Sequence, residues 1–405
     1  MIGKEIDIQG PPFTDGWWRV FLKETEDMNA SLTIRNVLSG AVVEKLQSEI
    51  RNVIRTSSLT NNFRVYVDGI KHDNDLVNAA PPQKDEDISA WSKRVFRDGK
   101  FSIIINQCEQ LSAYLANLLH GYLEYLQPIA GIPLLGYNST IFMGNYGFTP
   151  LGVHHDGTGN NVLHFHIGPG DKVMYNWGED VYTAEIKELS FGEQLEAADC
   201  FRFSAGDLYF MPWNKYHIGN TEDFSIGITL WFNNPTKASY LKKLNDDFFL
   251  PLIGNGESII HAKEPFDSFG RLADNAQERR FGDLLGDAHR QAVRVLTSSA
   301  NWNSKSIIDH AINLTRDDLL REMYVIKPYQ IIYAVDRSDI LVYTRGHKQV
   351  LPWSEALLEA IDRLNGGAEA FRVGDFIEGL SNIFTQRQAV VLLTDWCRKQ
   401  IIELR

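Results

Sequence analysis

Three side chains whose types and spacing suit metal chemistry stand out in the sequence: His154 and Asp156, separated by one residue, and His217 further along. The first two form a His-x-carboxylate step. The third closes the run Gly206-Asp207-Leu208-Tyr209-Phe210-Met211-Pro212-Trp213-Asn214-Lys215-Tyr216-His217, a Gly-Asp turn, an apolar strand and a proline turn. Two imidazoles and one carboxylate presented on one face of a small barrel leave three coordination positions open. That set suits a non-heme Fe(II) centre, which must hold a co-substrate and O₂ together, and it points to an oxygenase.

The residues around this set carry further expectations. Gly170-Asp171-Lys172 opens a strand, and a lysine just inside a barrel can form a charge-assisted pair with a dicarboxylate whose other end chelates iron. Tyr137, Ser139 and Thr140, on the strand before the His-x-Asp step, are candidates for additional contacts to that co-substrate. His155 adjoins two candidate ligands and is expected to point away from the metal. A rival ligand set is His164, His166 and His217: alternation puts His164 and His166 on one face of a strand, so both could enter the barrel. Together with Asp171, Gly178, Gly206, Pro212 and Asn220 they approximate the metal motifs of simpler cupins, and that set would allow chemistry without O₂. Tyr175, Trp177, Tyr209, Trp213 and Trp231 lie on or beside the same strands, as core or as walls of a substrate groove. The remaining histidines, among them His72, His120, His261, His289, His310 and His347, have no ligand-like spacing.

The elements that must position these groups are legible as changes of hydrophobic period. Val42, Val43, Leu46, Ile50, Val53 and Ile54 recur at helical spacing over 39–54, and Leu111, Leu115, Leu118, Leu119, Tyr122 and Leu126 predict a second helix over 109–126. Residues 72–90 read as a polar loop. From Gly136 the period becomes that of short strands, predicted over 137–144, 162–167, 172–177, 201–203, 208–211 and 225–232 and split by Gly, Pro and Asn turns. Strands at such short spacing predict a sandwich or barrel, with both metal segments inside it. After Pro235 helices are predicted over 240–249 and 283–296, joined by a polar stretch through 257–279. The last part of the chain predicts a strand at 339–343, helices at 354–364, 373–380 and 388–399, and a strand-like end at 401–404, an order that fits a winged-helix arrangement.

The chain has 405 residues, long enough for more than one core. Its net charge of -12 argues against broad affinity for nucleic-acid phosphates, which depends on Lys and Arg displacing counterions, and is compatible with a basic protein or peptide partner. Cys108, Cys200 and Cys397 are odd in number and far apart, so neither a disulfide framework nor a zinc cluster is expected and a reducing compartment is. The amino-terminal residues lack an apolar signal core and no long uninterrupted apolar stretch follows. No membrane association and a cytoplasmic location are expected.

The order His154-x-Asp156, Lys172, then Gly206-Asp207, Pro212 and His217 resembles the JmjC-type, cupin-fold Fe(II)/2-oxoglutarate oxygenases over about residues 130–235. The resemblance implies an α+β chain with a double-stranded β-helix (jelly-roll) core, His154, Asp156 and His217 as iron ligands, and Lys172 on the distal carboxylate of 2-oxoglutarate. The wider layout is an oxygenase domain over 1–235, a helical segment over 236–300 and a winged-helix-like module over 301–405. It is similar to that of the ribosomal oxygenases, which implies a homodimer through the helical segment and hydroxylation of a protein or peptide side chain. A free amino acid or another small molecule as substrate, and a metal cupin acting as isomerase or ligand-binding regulator, are the alternatives. No protein general base is needed for such a C–H hydroxylation, so no catalytic residue is assigned beyond the ligands.

Overall fold

A computed structural model describes residues 2–56, 62–249, 281–336, 338–367 and 371–405. The chain divides into two compact units, Met1–Asn234 and Pro235–Arg405.

The first unit is built on two sheets, antiparallel except for the edge pair Glu5–Ile6 and Leu32–Ile34, that share eight successive strand positions, the second of them taken by two short strands. In chain order these are Tyr137–Gly144, the short pair Gly147–Phe148 and His154–His155, Asn160–Pro169, Lys172–Gly178, Asp199–Phe203, Leu208–Met211, Lys215–Thr221 and Ser225–Asn233. Strands six, three, eight and one lie side by side in the larger sheet; strands five, four, seven and two form the smaller. Glu5–Ile6 and Leu32–Ile34 extend the larger sheet beyond the sixth strand. Phe101–Asn106, Phe63–Val67 and Ile70–His72 extend it beyond the first.

Side-chain alternation sorts each strand into an inner and an outer face. Val162, Tyr209 and Met211 from the larger sheet pack with Met174, Phe201 and Phe203 from the smaller to close one end of the interior. The larger sheet's outer face is covered by amino-terminal helices. Helix Asp15–Glu24 is capped by the Thr14 hydroxyl and buries Trp17, Trp18 and Phe21. Phe21 meets Phe210 edge-on at 5.2 Å between ring centroids, and the Trp18 indole donates to the Tyr122 carbonyl at 2.9 Å. Helix Gly40–Thr56 fulfils the period expected over 39–54, and its Gln47 amide donates to the Ile167 carbonyl. On the smaller sheet, Trp177, Ala198 and Ile218 form a buried cluster with Tyr175, Tyr182, Leu195 and Tyr216, roofed by the short helices Ala184–Glu188 and Phe191–Glu196.

Several expectations need correction. The helix expected over 109–126 is broken into Cys108–Gln110, Ala113–Leu123 and Gln127–Ala130, with Ser112 capping the middle piece. The 72–90 loop contains helix Asp75–Asn78 and the start of helix Ile88–Phe96, capped by Asp87. Asp207 bears out its place in a turn: it is 3% exposed and its carboxylate accepts from Arg35 at 2.6 Å and from the backbone amides of Asn36 and Ser204. It pins the turn that launches the sixth strand.

In the second unit Glu322–Val325 pairs with Phe371–Arg372 and Ile402–Leu404, and Ile332–Asp336, Asp339–Thr344 and His347–Pro352 form a meander. Helices Glu355–Gly366, Val373–Gly379 and Gln386–Arg398 bury apolar stripes that include Leu357, Ile361, Phe376, Leu393 and Trp396. Helix Phe281–Ser298 overlaps the one expected over 283–296, whereas the polar stretch over 257–279 lies outside the described residues. Among the described residues no helix is long and apolar enough to cross a membrane.

Candidate metal centre

His154 and His217 stand directly opposite each other where the second strand pairs with the seventh. Opposed residues of an antiparallel pair share a face and bring their Cβ atoms within about 5 Å; here the two rings lie 4.2 Å apart between centroids. Asp156 follows His154 by two residues, so chain alternation returns it to the same inner face. His154 Nε2 is 4.0 Å from Asp156 Oδ1, and His217 Nε2 is 3.9 Å from Oδ2. These separations are too long for hydrogen bonds and leave room for an ion among the three. One ligand atom from each lies within 4.8 Å of the others.

The outer nitrogens fix the rings. His154 Nδ1 is 2.9 Å from the Gly152 carbonyl oxygen and His217 Nδ1 is 3.3 Å from that of Lys215. A carbonyl can only accept, so each ring holds its proton on Nδ1 and turns the Nε2 lone pair toward the cluster, the tautomer a metal requires. Burial, reinforced by the neighbouring His154, pushes the His217 imidazole down to about 3, so it is neutral and free to ligate. Burial pushes the Asp156 carboxyl up to about 6, opposed by His154 and His155. Asp156 Oδ2 has no hydrogen-bond partner among the described residues although it is inaccessible to water. A buried carboxylate oxygen without a donor, between two imidazole lone pairs, fits a divalent cation and little else.

The triad sits at the wall of a cavity between the sheets, lined also by Phe142, Val162, Met174, Met211 and Trp231, by Thr149 and Thr229, and by His164 and Lys172. Lys172 is 5% exposed. Its ammonium lies over the rings of Phe142 and Tyr146, at 5.3 Å and 5.7 Å from their centroids, and no carboxylate among the described residues pairs with it. A buried ammonium that meets only aromatic faces among the described residues suits an anionic partner in the cavity.

The structure thus brings His154, Asp156, His217 and Lys172 to one cavity. It separates the other candidates. Tyr137 lies on the outer face of the first strand, its ring edge-on to Phe232 at 5.2 Å, and is not brought to the cavity. Thr140 shares the inner face with Phe142 but lies outside the lining: its carbonyl accepts from the Thr229 hydroxyl, and the cavity meets Thr229 instead. The rival set does not converge among the described residues. His166 Nε2 donates to the Gly170 carbonyl at 2.6 Å and its ring stacks 5.9 Å from that of His164; His164 lines the cavity, but neither ring joins His217 in the ligand cluster. His155 turns outward, its Nε2 3.2 Å from Glu179 Oε1, as its place between two ligands requires. Sequence reasoning passed over Gly219 and Gly227, which sit inside strands bordering the cavity; a glycine within a strand is itself a signal of close approach by another group.

No family model and no curated protein matches the chain. Among solved structures it is similar to YcfD, a ribosomal oxygenase from Escherichia coli. With cobalt and succinic acid bound, the identity is 15% over 96% of this chain and 98% of that one, with a TM-score of 0.47. With cobalt and 2-oxoglutarate the values are 13%, 96%, 98% and 0.45. The carbocyclase SnoK from nogalamycin biosynthesis, non-heme and alpha-ketoglutarate dependent, matches at 14% identity over 58% of this chain and 94% of that one, with a TM-score of 0.36.

Proposed function

We propose that this chain is an Fe(II)- and 2-oxoglutarate-dependent hydroxylase. The observation that carries the reading is the convergence of His154, Asp156 and His217 on one cavity that also encloses the unpaired Lys172. The strand order, with six, three, eight and one facing five, four, seven and two, supports reading the first unit as a double-stranded β-helix. His154, Asp156 and His217 would hold the iron, which when bound supplies O₂ activation coupled to oxidative decarboxylation of 2-oxoglutarate. Lys172 takes the distal carboxylate, and its desolvated setting makes that pairing strong. The Gly152 and Lys215 carbonyls keep the imidazoles in the ligating tautomer. Phe142, Val162, Met174, Met211 and Trp231 exclude water, so that the reactive centre meets only the C–H bond held against it.

The substrate we infer is a side chain of a protein or peptide. The net charge of -12 favours a basic partner and disfavours nucleic acid. The last part of the second unit, where helices Glu355–Gly366, Val373–Gly379 and Gln386–Arg398 lead into strand Ile402–Leu404, reads as a winged-helix-like module suited to gripping a macromolecule. A cytoplasmic homodimer belongs to the same reading. The test is anaerobic addition of Fe(II) and 2-oxoglutarate to the full chain: a weak visible charge-transfer band is expected, and its absence, together with no 2-oxoglutarate consumption in air, overturns the proposal.

A further inference from the structure

Behind the candidate ligands, the cavity holds a second donor that the metal reading leaves unused. His164 is 4% exposed and lines the same space as Lys172. Its Nε2 is sealed from water and has no hydrogen-bond partner among the described residues. The chain makes room for it. Gly227, on the neighbouring eighth strand, approaches so closely that a Cβ there would lie 2.2 Å from His164 Nε2. The pairing of the third and eighth strands shifts register between Ile226 and Gly227, a bulge at the place where the ring is accommodated. On the opposite sheet Gly219 leaves a looser space, where a Cβ would lie 3.0 Å from Met174 Sδ and Thr149 Oγ1 and 3.1 Å from Lys172 Cε. Two facing strands thus give up side-chain volume so that an imidazole and an ammonium can enter one cavity.

Resting on the reading of the site as a 2-oxoglutarate centre, we propose that His164 Nε2–H is the second donor to the distal carboxylate, acting beside Lys172, and that Gly227 is a glycine to leave its ring that position. A carboxylate has two oxygens, and a single ammonium need not satisfy both. The imidazole is neutral, because burial and then the charge of Lys172 hold its basicity well below the ordinary value, so it carries one N–H. A neutral N–H beside the lysine completes the anion's shell without adding a second buried charge. It also resolves the orphaned nitrogen, which has no such role if His164 only fills space.

The experiment is calorimetric binding to the full chain, anaerobic and loaded with Mn(II). The titrants are 2-oxoglutarate and pyruvate, a 2-oxo acid with no distal carboxylate. His164→Leu keeps the bulk and removes the donor, whereas His164→Gln returns an N–H near Nε2. We expect His164→Leu to weaken 2-oxoglutarate roughly tenfold to a hundredfold, the range for a hydrogen bond to a charged group. His164→Gln should recover most of that loss, and pyruvate and Mn(II) binding should be unchanged in both. Equal loss of pyruvate and 2-oxoglutarate, or no loss of either in His164→Leu, overturns the proposal. If His164→Leu does not fold, ¹⁵N-histidine spectra of the wild-type chain decide: the Nε2–H resonance of His164 must move on adding 2-oxoglutarate and stay in place with pyruvate. A wild-type chain that binds no 2-oxoglutarate removes the oxygenase reading itself. Binding that falls in Lys172→Ala but not in His164→Leu removes only this inference.

Discussion

Asp156→Asn separates the cost of the metal centre from its use. In the metal-free protein the carboxyl is raised from 3.8 to about 6 by burial. Between those values the folded chain binds more protons at this group than the unfolded chain does, so the group's contribution lowers stability as pH rises through about 6. At about 1.4 kcal/mol for each tenfold change in the proton equilibrium, the buried carboxylate costs the metal-free fold on the order of 2–3 kcal/mol at neutral pH. Asparagine preserves the shape, carries no charge and offers an amide to the two Nε2 lone pairs. The variant should therefore be more stable than wild type by that amount at pH 7.5 in the presence of a chelator. The gap should narrow toward pH 4.5, where wild-type Asp156 is protonated in the folded state but still largely ionised in the unfolded one, and close below about 3.8. Mn(II) or Fe(II) should raise the wild-type urea midpoint and leave the variant's unmoved, because the anionic ligand is gone. Urea titrations followed by tryptophan fluorescence, with and without metal at both pH values, measure all of this. A variant less stable than wild type at pH 7.5, or one still stabilised by metal, would refute the assignment of Asp156 as a strained ligand waiting for a cation.

Three further outcomes follow from the same geometry. Lys172→Ala should weaken 2-oxoglutarate by on the order of 2–5 kcal/mol, the cost of removing one partner of a desolvated charge pair, with Mn(II) affinity little changed; equilibrium binding under argon checks it. Gly159 has φ +88°, and a Cβ there would lie 2.0 Å from the Asn234 carbonyl oxygen, so Gly159→Ala should destabilise the first unit by at least ~2 kcal/mol in chemical denaturation. A chain ending at Asn234, where the first unit ends, should retain Mn(II) and 2-oxoglutarate binding and uncoupled 2-oxoglutarate turnover; if the substrate is a macromolecule it should lose hydroxylation of that substrate, whereas undiminished hydroxylation of a free amino acid by the fragment would favour a small-molecule substrate.

What could be read in advance follows a physical line. Long, evenly patterned segments such as Tyr137–Gly144, Ser225–Asn233 and Gly40–Thr56 declare themselves because one face is buried along their whole length. The smaller sheet is harder. Gly147–Phe148 and His154–His155 are each two residues long, and Lys215–Thr221 carries Lys, His, Gly, Asn and Thr, so neither length nor pattern marks them as strands. They are strands because their neighbours pair with them, and His154 and His217 face inward into a cavity that polar groups share with apolar ones. The conflict between local pattern and final fold is therefore concentrated at the site, as expected where function overrides core formation. The same reasoning explains why ligand types and spacing were legible while the cavity floor was not. His154, Asp156 and His217 are identifiable by chemistry alone. The role of Gly227 depends on a His164 ring that reaches it from another strand, a relation that exists only once the register shift between the third and eighth strands has been set. A glycine placed for another residue's sake has no signature of its own beyond its presence in a strand, and its partner can be named only from the pairing.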